Sequence, residues 1–92
     1  MTEHIMQEIS EDDFERFDIA SNPPLGLTTE RAWFQCGPLL GIVLIDNVDR
    51  DWSFVALSRT LPETQYRAFD VGTSYASQEE ATEALAKALE SP

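Results

Sequence analysis

Carboxylates dominate the chemistry that this chain can offer. Seventeen Asp and Glu residues face six Lys and Arg, for a formal net charge of -11 at pH 7. Carboxylates can work in pairs as acid and base, ligate hard cations, or present an anionic surface to a basic partner. Their spacing separates these uses. Glu11, Glu15 and Asp18 recur at i, i+4 and i+7, which aligns them on one face of a helix, with Glu8 and Asp12 beside them. Asp46, Asp49 and Asp51 crowd a short polar connection. A calcium loop of the helix–loop–helix kind needs a glycine at its sharp turn and a closing Glu, whereas Arg50 sits inside this stretch and no Glu follows. The stretch reads as a polar hairpin loop. No two carboxylates are singled out by spacing as an acid–base pair.

Nucleophilic and metal chemistry have few candidates. The single His, His4, lies near the start of the chain and reads as a solvated terminal residue. The single Cys, Cys36, lies among apolar residues with no His nearby in sequence, and is expected to pack in the core. There is no Gly-rich phosphate loop, nucleophile elbow or Cys/His cluster. The expectation is a non-enzymatic protein without a cofactor.

The charge is unevenly spread. Residues 1–30 hold eight acids and one base, residues 31–75 five and four, and residues 76–92 four and one. Such a chain repels nucleic acid and anionic membrane surfaces and attracts basic ones. The candidate partner-binding residues are Glu8, Glu11, Asp12, Glu15 and Asp18 near the N-terminus, and Asp46, Asp49 and Asp51 in the middle.

Several elements must position these groups. Ser10 is a good N-cap for a first helix, Glu11, Asp12 and Asp13 suit its positive end, and Ile9 with Phe14 fits a hydrophobic staple. Asn22-Pro23-Pro24 is expected to end that helix, and Ser21 to Thr29 to form a loop. Strands are expected at Arg31 to Cys36, Leu39 to Ile45, Trp52 to Arg59 and Gln65 to Val71, joined by turns at Gly37-Pro38, residues 46–51 and Leu61-Pro62-Glu63. Links this short imply antiparallel hairpins. Ser77-Gln78-Glu79-Glu80 is a capping box, and Ala81, Ala84, Leu85, Ala88 and Leu89 form one apolar stripe of a last helix. The expected fold is α+β: an antiparallel meander of three to four strands, with a short N-terminal helix and a C-terminal helix packed on the sheet. Leu39, Val43, Ile45, Val55 and Leu57 cannot all share one side of the pleat, so the second face needs a cover, either the first helix or a second copy of the chain.

Ninety-two residues suit one domain, 1–92, with one core. No apolar run reaches the roughly 18 residues of a membrane span, and the first residues lack the basic and apolar regions of a signal peptide. With no disulfide possible inside the chain, the expected compartment is the cytoplasm.

From Trp33 onward, over about two thirds of the chain, the sequence resembles short bacterial and mobile-element proteins. The matching features are Trp33-Phe34, Leu40-Gly41-Ile42-Val43, Asp46 through Asp51-Trp52, Tyr66-Arg67-Ala68-Phe69-Asp70 and the capped Ala-rich helix. That resemblance implies a shared fold and no activity. In kind (size, charge and lack of a catalytic set) the chain also resembles phage-encoded anti-CRISPR proteins. This likeness implies an inhibitor that binds a basic nucleic-acid-binding protein or complex, such as a CRISPR effector, by mimicking DNA, as a monomer or weak homodimer. The alternative is a small accessory domain that pairs with itself or another protein through its sheet face, its acidity serving solubility alone.

Overall fold

A computed structural model describes residues 5–20, 27–59 and 64–90. The elements are β1 (Gln7–Ile9), α1 (Glu11–Glu15), β2 (Thr28–Cys36), β3 (Leu39–Asp46), β4 (Trp52–Ser58), β5 (Arg67–Tyr75) and α2 (Gln78–Glu90). The strands form one sheet of five in the order β1-β2-β3-β4-β5, with every neighbouring pair antiparallel. The fold is the expected α+β meander with α2 packed on it, and it has one strand more than expected, β1.

The centre of the sheet explains the long apolar runs. Leu40 to Ile45 in β3 and Ser53 to Leu57 in β4 are buried on both faces. Alternation sends Val43, Phe54 and Ala56 to one face, where they meet Ala81, Leu85 and Leu89 of α2, with Ala32, Phe34 and Cys36 of β2. It sends Leu40, Ile42, Leu44, Val55 and Leu57 to the other. Gly41 lets the helix sit close, because a Cβ there would lie 2.7 Å from Leu85 Cδ1. At the β2–β3 hairpin Gly37 takes φ 57, the left-handed geometry that a two-residue primed turn needs in its first position. The Ser77 half of the α2 capping box is as read, with Glu80 N–H donating to Ser77 Oγ at 3.1 Å; the return bond differs, because Glu80 Oε2 accepts from the N–H of Ala76, one residue before the cap, at 2.9 Å.

The second face is covered by the chain itself. β1 pairs with β2 at one edge of the sheet, Gln7 opposite Gln35 and Ile9 opposite Trp33. The chain then crosses the face. Phe14 is buried among Leu40, Ile42 and Leu57, with Ile9, Phe17, Ile19 and Trp33 packed around the same cluster. At the far edge Ile19 bridges in parallel to Tyr66: Tyr66 N–H donates to Asp18 O at 2.8 Å, and Ala20 N–H to Tyr66 O at 2.9 Å. Residues 10–20 are thus a strap tied at both edges of the sheet.

Several boundaries differ from expectation. α1 stops at Glu15, well short of Asn22-Pro23-Pro24. Its end tightens into i→i−3 bonds, from Arg16 N–H to Asp13 O and from Phe17 N–H to Phe14 O, so that the following backbone can reach Tyr66. A helix continued to Ala20 would have drawn the Ala20 N–H into an i→i−4 bond to Arg16 O and away from Tyr66 O. β2 begins at Thr28, three residues before Arg31, with a bulge between Glu30 and Ala32. β5 runs to Tyr75, past Val71, with two irregularities in its pairing with β4. His4, Asn22-Pro23-Pro24, most of the expected loop from Ser21 to Thr29, and the Leu61-Pro62-Glu63 turn lie outside the described residues.

Candidate partner-binding surface

The eight acidic candidates fall in four places. Glu8 is exposed on β1, opposite Phe34. Glu11, Asp12 and Glu15 are exposed on α1, as is Asp13. Their positions are set by two local devices. Ser10 Oγ accepts from Asp13 N–H at 3.1 Å, which fixes the helix start. Phe14, only 6% exposed, pins the single turn to the sheet. With its one apolar side chain buried, α1 turns its carboxylates to solvent.

Asp18 does not belong to this group. The i, i+4, i+7 stripe requires the helix to continue, and it has ended by then. Asp18 instead serves the strap's far end: its carbonyl accepts from Tyr66 N–H, and its Oδ1 accepts from Gln65 Nε2 at 3.3 Å. The helical carboxylate stripe is therefore replaced by a shorter cluster, Glu11, Asp12, Asp13 and Glu15. The spacing was sound for a longer helix; the pairing with Tyr66, far along the sequence, decides otherwise.

Asp46, Asp49 and Asp51 lie at the opposite end of the sheet. β1 pairs with β2 near its C-terminal end, whereas Asp46 pairs with Thr28 at the N-terminal end of β2. The connection over residues 46–51 is a tightly closed hairpin turn. Asp46 N–H donates to Asp51 O at 2.8 Å and Arg50 N–H to Asp46 O at 2.9 Å. Arg50 adopts φ 64. Asp46 Oδ1 accepts from both Val48 N–H at 2.8 Å and Asp49 N–H at 2.9 Å. Those N–H groups, Asp49 first and Val48 second, hold the Asp46 carboxyl below its usual range. Asn47 ties the turn to β2 by exchanging side-chain bonds with Thr29 and by donating its N–H to Leu27 O at 2.8 Å. Asp46 is thus a turn-former, while Asp49 and Asp51 are exposed. Among the described residues no group of three or more His, Cys, Asp or Glu is placed to hold a metal ion.

Sequence reasoning missed the hydroxyls next to this turn. Ser53, Thr73 and Ser74 line a cavity together with the three Asp residues. The one visible signal was Ser53 itself, a polar residue in an otherwise apolar strand.

Cys36 lies in the core beneath α2, 1% exposed, with Sγ 3.9 Å from Leu89 O. Burial, and secondarily the charge of Glu90, push its thiol up from the usual value. A raised thiol in a closed core is a poor nucleophile. Native protein at pH 8 is expected to react with iodoacetamide about 100-fold more slowly than protein unfolded in urea. Equal rates would place the thiol at the surface.

Among the described residues no helix is long and apolar enough to cross a membrane. No family model matches the chain, no curated protein matches its sequence, and no solved structure matches its fold.

Proposed function

We propose that the chain is a non-enzymatic inhibitor that binds a basic, nucleic-acid-binding surface of another protein and denies that surface to nucleic acid. The observation that carries this reading is α1: one buried anchor, Phe14, holds Glu11, Asp12, Asp13 and Glu15 exposed on a single turn fixed to the sheet. Fixed carboxylates lose less on binding than charges on a mobile tail, because their ordering has already been met by folding. Net charge of -11 adds long-range steering toward a basic partner. Phosphates on duplex DNA recruit the same basic grooves, so a rigid acidic surface competes with them directly. A CRISPR effector is one such partner, suggested by the likeness in kind to anti-CRISPR proteins.

The test is capture from an extract of the source cells on immobilised protein. The expected result is a nucleic-acid-binding protein that is released both by added salt and by added duplex DNA. Reversing Glu11, Asp12 and Glu15 together to Lys is expected to weaken that capture about 100-fold while leaving the circular dichroism spectrum unchanged. A partner retained in high salt and indifferent to DNA would overturn the reading.

Pairing through a bare sheet face loses its main support, since Leu40, Ile42, Val55 and Leu57 are all 0% exposed beneath the strap and the neighbouring strands. What favours an accessory interaction domain is narrower: Phe69 and Val71 stand 41% and 37% exposed on β5. Sedimentation separates the two readings, because a dimer held by those side chains is insensitive to salt.

A further inference from the structure

A cavity of about 110 Å³ opens where β3 turns into β4. It exists because β5 bulges beside it. Trp52 pairs with Tyr75 and Phe54 with Gly72, so Thr73 and Ser74 both oppose Ser53. The extra residue, with Ser74 at φ 68, bends the strand and opens a gap in the sheet surface. Ser53 points to the face opposite α2, since its neighbours Trp52 and Phe54 pack on the α2 side.

Two independent observations mark this cavity as a receptor. The first is charge: Asp49 and Asp51 are exposed at its mouth, and Asp46 commits its Oδ1 to the turn, while among the described residues no backbone donor meets its second oxygen. The second is Ser53, the only buried polar residue among those described, at 6% exposure. Among the described residues its hydroxyl has no hydrogen-bond partner, yet its oxygen is not sealed off from the cavity. Because that oxygen is open rather than sealed, its donor and acceptor are both available to an occupant of the cavity.

The lining selects the guest. Three carboxylates exclude a phosphate or another anion. Hydroxyls and carboxylates around the walls disfavour an apolar group. No metal cluster converges among the described residues, so the oxygens are spread more widely than a bare ion requires. The space far exceeds the roughly 10–15 Å³ that admits one water. An organic cation with several N–H donors pointing in different directions satisfies dispersed acceptors best. We propose that this cavity receives the guanidinium or ammonium head of an Arg or Lys side chain. The source of that side chain, a basic partner protein, rests on the function proposed above; the cation site itself does not.

The test is a titration of the intact, isotope-labelled protein with methylguanidinium chloride and, separately, methylammonium chloride, against sodium chloride at matched ionic strength. Saturable amide shifts centred on Asp49, Asp51, Ser53, Thr73 and Ser74 are expected, at least about tenfold weaker in Asp49→Asn/Asp51→Asn. That variant keeps Asp46 and hence the turn, and its amide spectrum should otherwise overlay the parent's. Shifts no larger than those with sodium chloride, or shifts unaltered in the variant, would overturn the site. If the cation saturates but no basic protein is captured from extract, the site stands and the functional reading fails. If the variant captures the partner as well as the parent does, the site is not where the partner docks, and that part of the proposal fails.

Discussion

Leu85→Ala is expected to lower the free energy of unfolding by about 3 kcal/mol and the melting midpoint by about 15 °C. Leu85 is 0% exposed and is seated against Gly41, the position where the sheet leaves room for it. Truncation removes the apolar contact and leaves a void that a sheet paired on both sides cannot collapse to fill. Domains of this size have only about 5–10 kcal/mol of stability in total. Urea unfolding followed by the fluorescence of Trp52, which packs on the same face, measures the loss. The geometry also fixes the sign of a coupling. Gly41→Ala alone drives a Cβ to within 2.7 Å of Leu85 Cδ1, whereas in the Leu85→Ala background the same methyl enters vacated space. The double variant should therefore be more stable than the two single losses added together. Simple additivity would mean that α2 is not held at this distance.

Phe14→Ala is expected to cost about 3 kcal/mol by a different route. Phe14 is the buried residue of α1 and the centre of the strap's contact with Leu40, Ile42 and Leu57. A turn of five helical residues has no independent stability in water, so without this anchor α1 loses its structure. Hydrogen exchange should show the Phe14 amide, which donates to Ser10 O at 3.0 Å, and the Tyr66 amide, which donates to Asp18 O, losing protection. Amides of α2 should keep their rank order. Trp33 reports this face as Trp52 reports the other. Uniform loss of protection in α2 as well would mean that the strap and the helix face unfold as one unit, contrary to their separate packing clusters.

The contrast between these two residues shows what the sequence could and could not disclose. Leu85 belongs to a 13-residue helix with a five-residue apolar stripe and a Ser77 cap, signals that are local and repeated. β3 and β4 were equally plain, because a strand buried on both faces has to be apolar throughout. β1 was not, since three residues, Gln7, Glu8 and Ile9, are too few to show an alternation. The strap was half visible. Ser10, Ile9 and Phe14 announced its start, but its end depends on a bridge to Tyr66 that no local pattern encodes. The same reason misplaced Asp18 on a helix face. At the other end of the sheet, the Asp46 turn could be read from its polar residues. The cavity beside it could not, because it is made by a bulge that brings Thr73 and Ser74 against Ser53.

That bulge also bears on how the sheet stays finite. Among the described residues the outer side of β5 carries no further strand, and an open edge can template the growth of one sheet onto another. Growth requires a regular alternation of outward N–H and C=O groups. β5 interrupts it twice within nine residues: Thr73 and Ser74 share Ser53, and Phe69 is left over between Ala68 opposite Leu57 and Asp70 opposite Ala56. Asp70 adds an exposed charge in the middle of the strand. The irregularity that shapes the cavity thus also works against polymerisation, leaving β5 able to offer Phe69 and Val71 as side chains without offering its backbone.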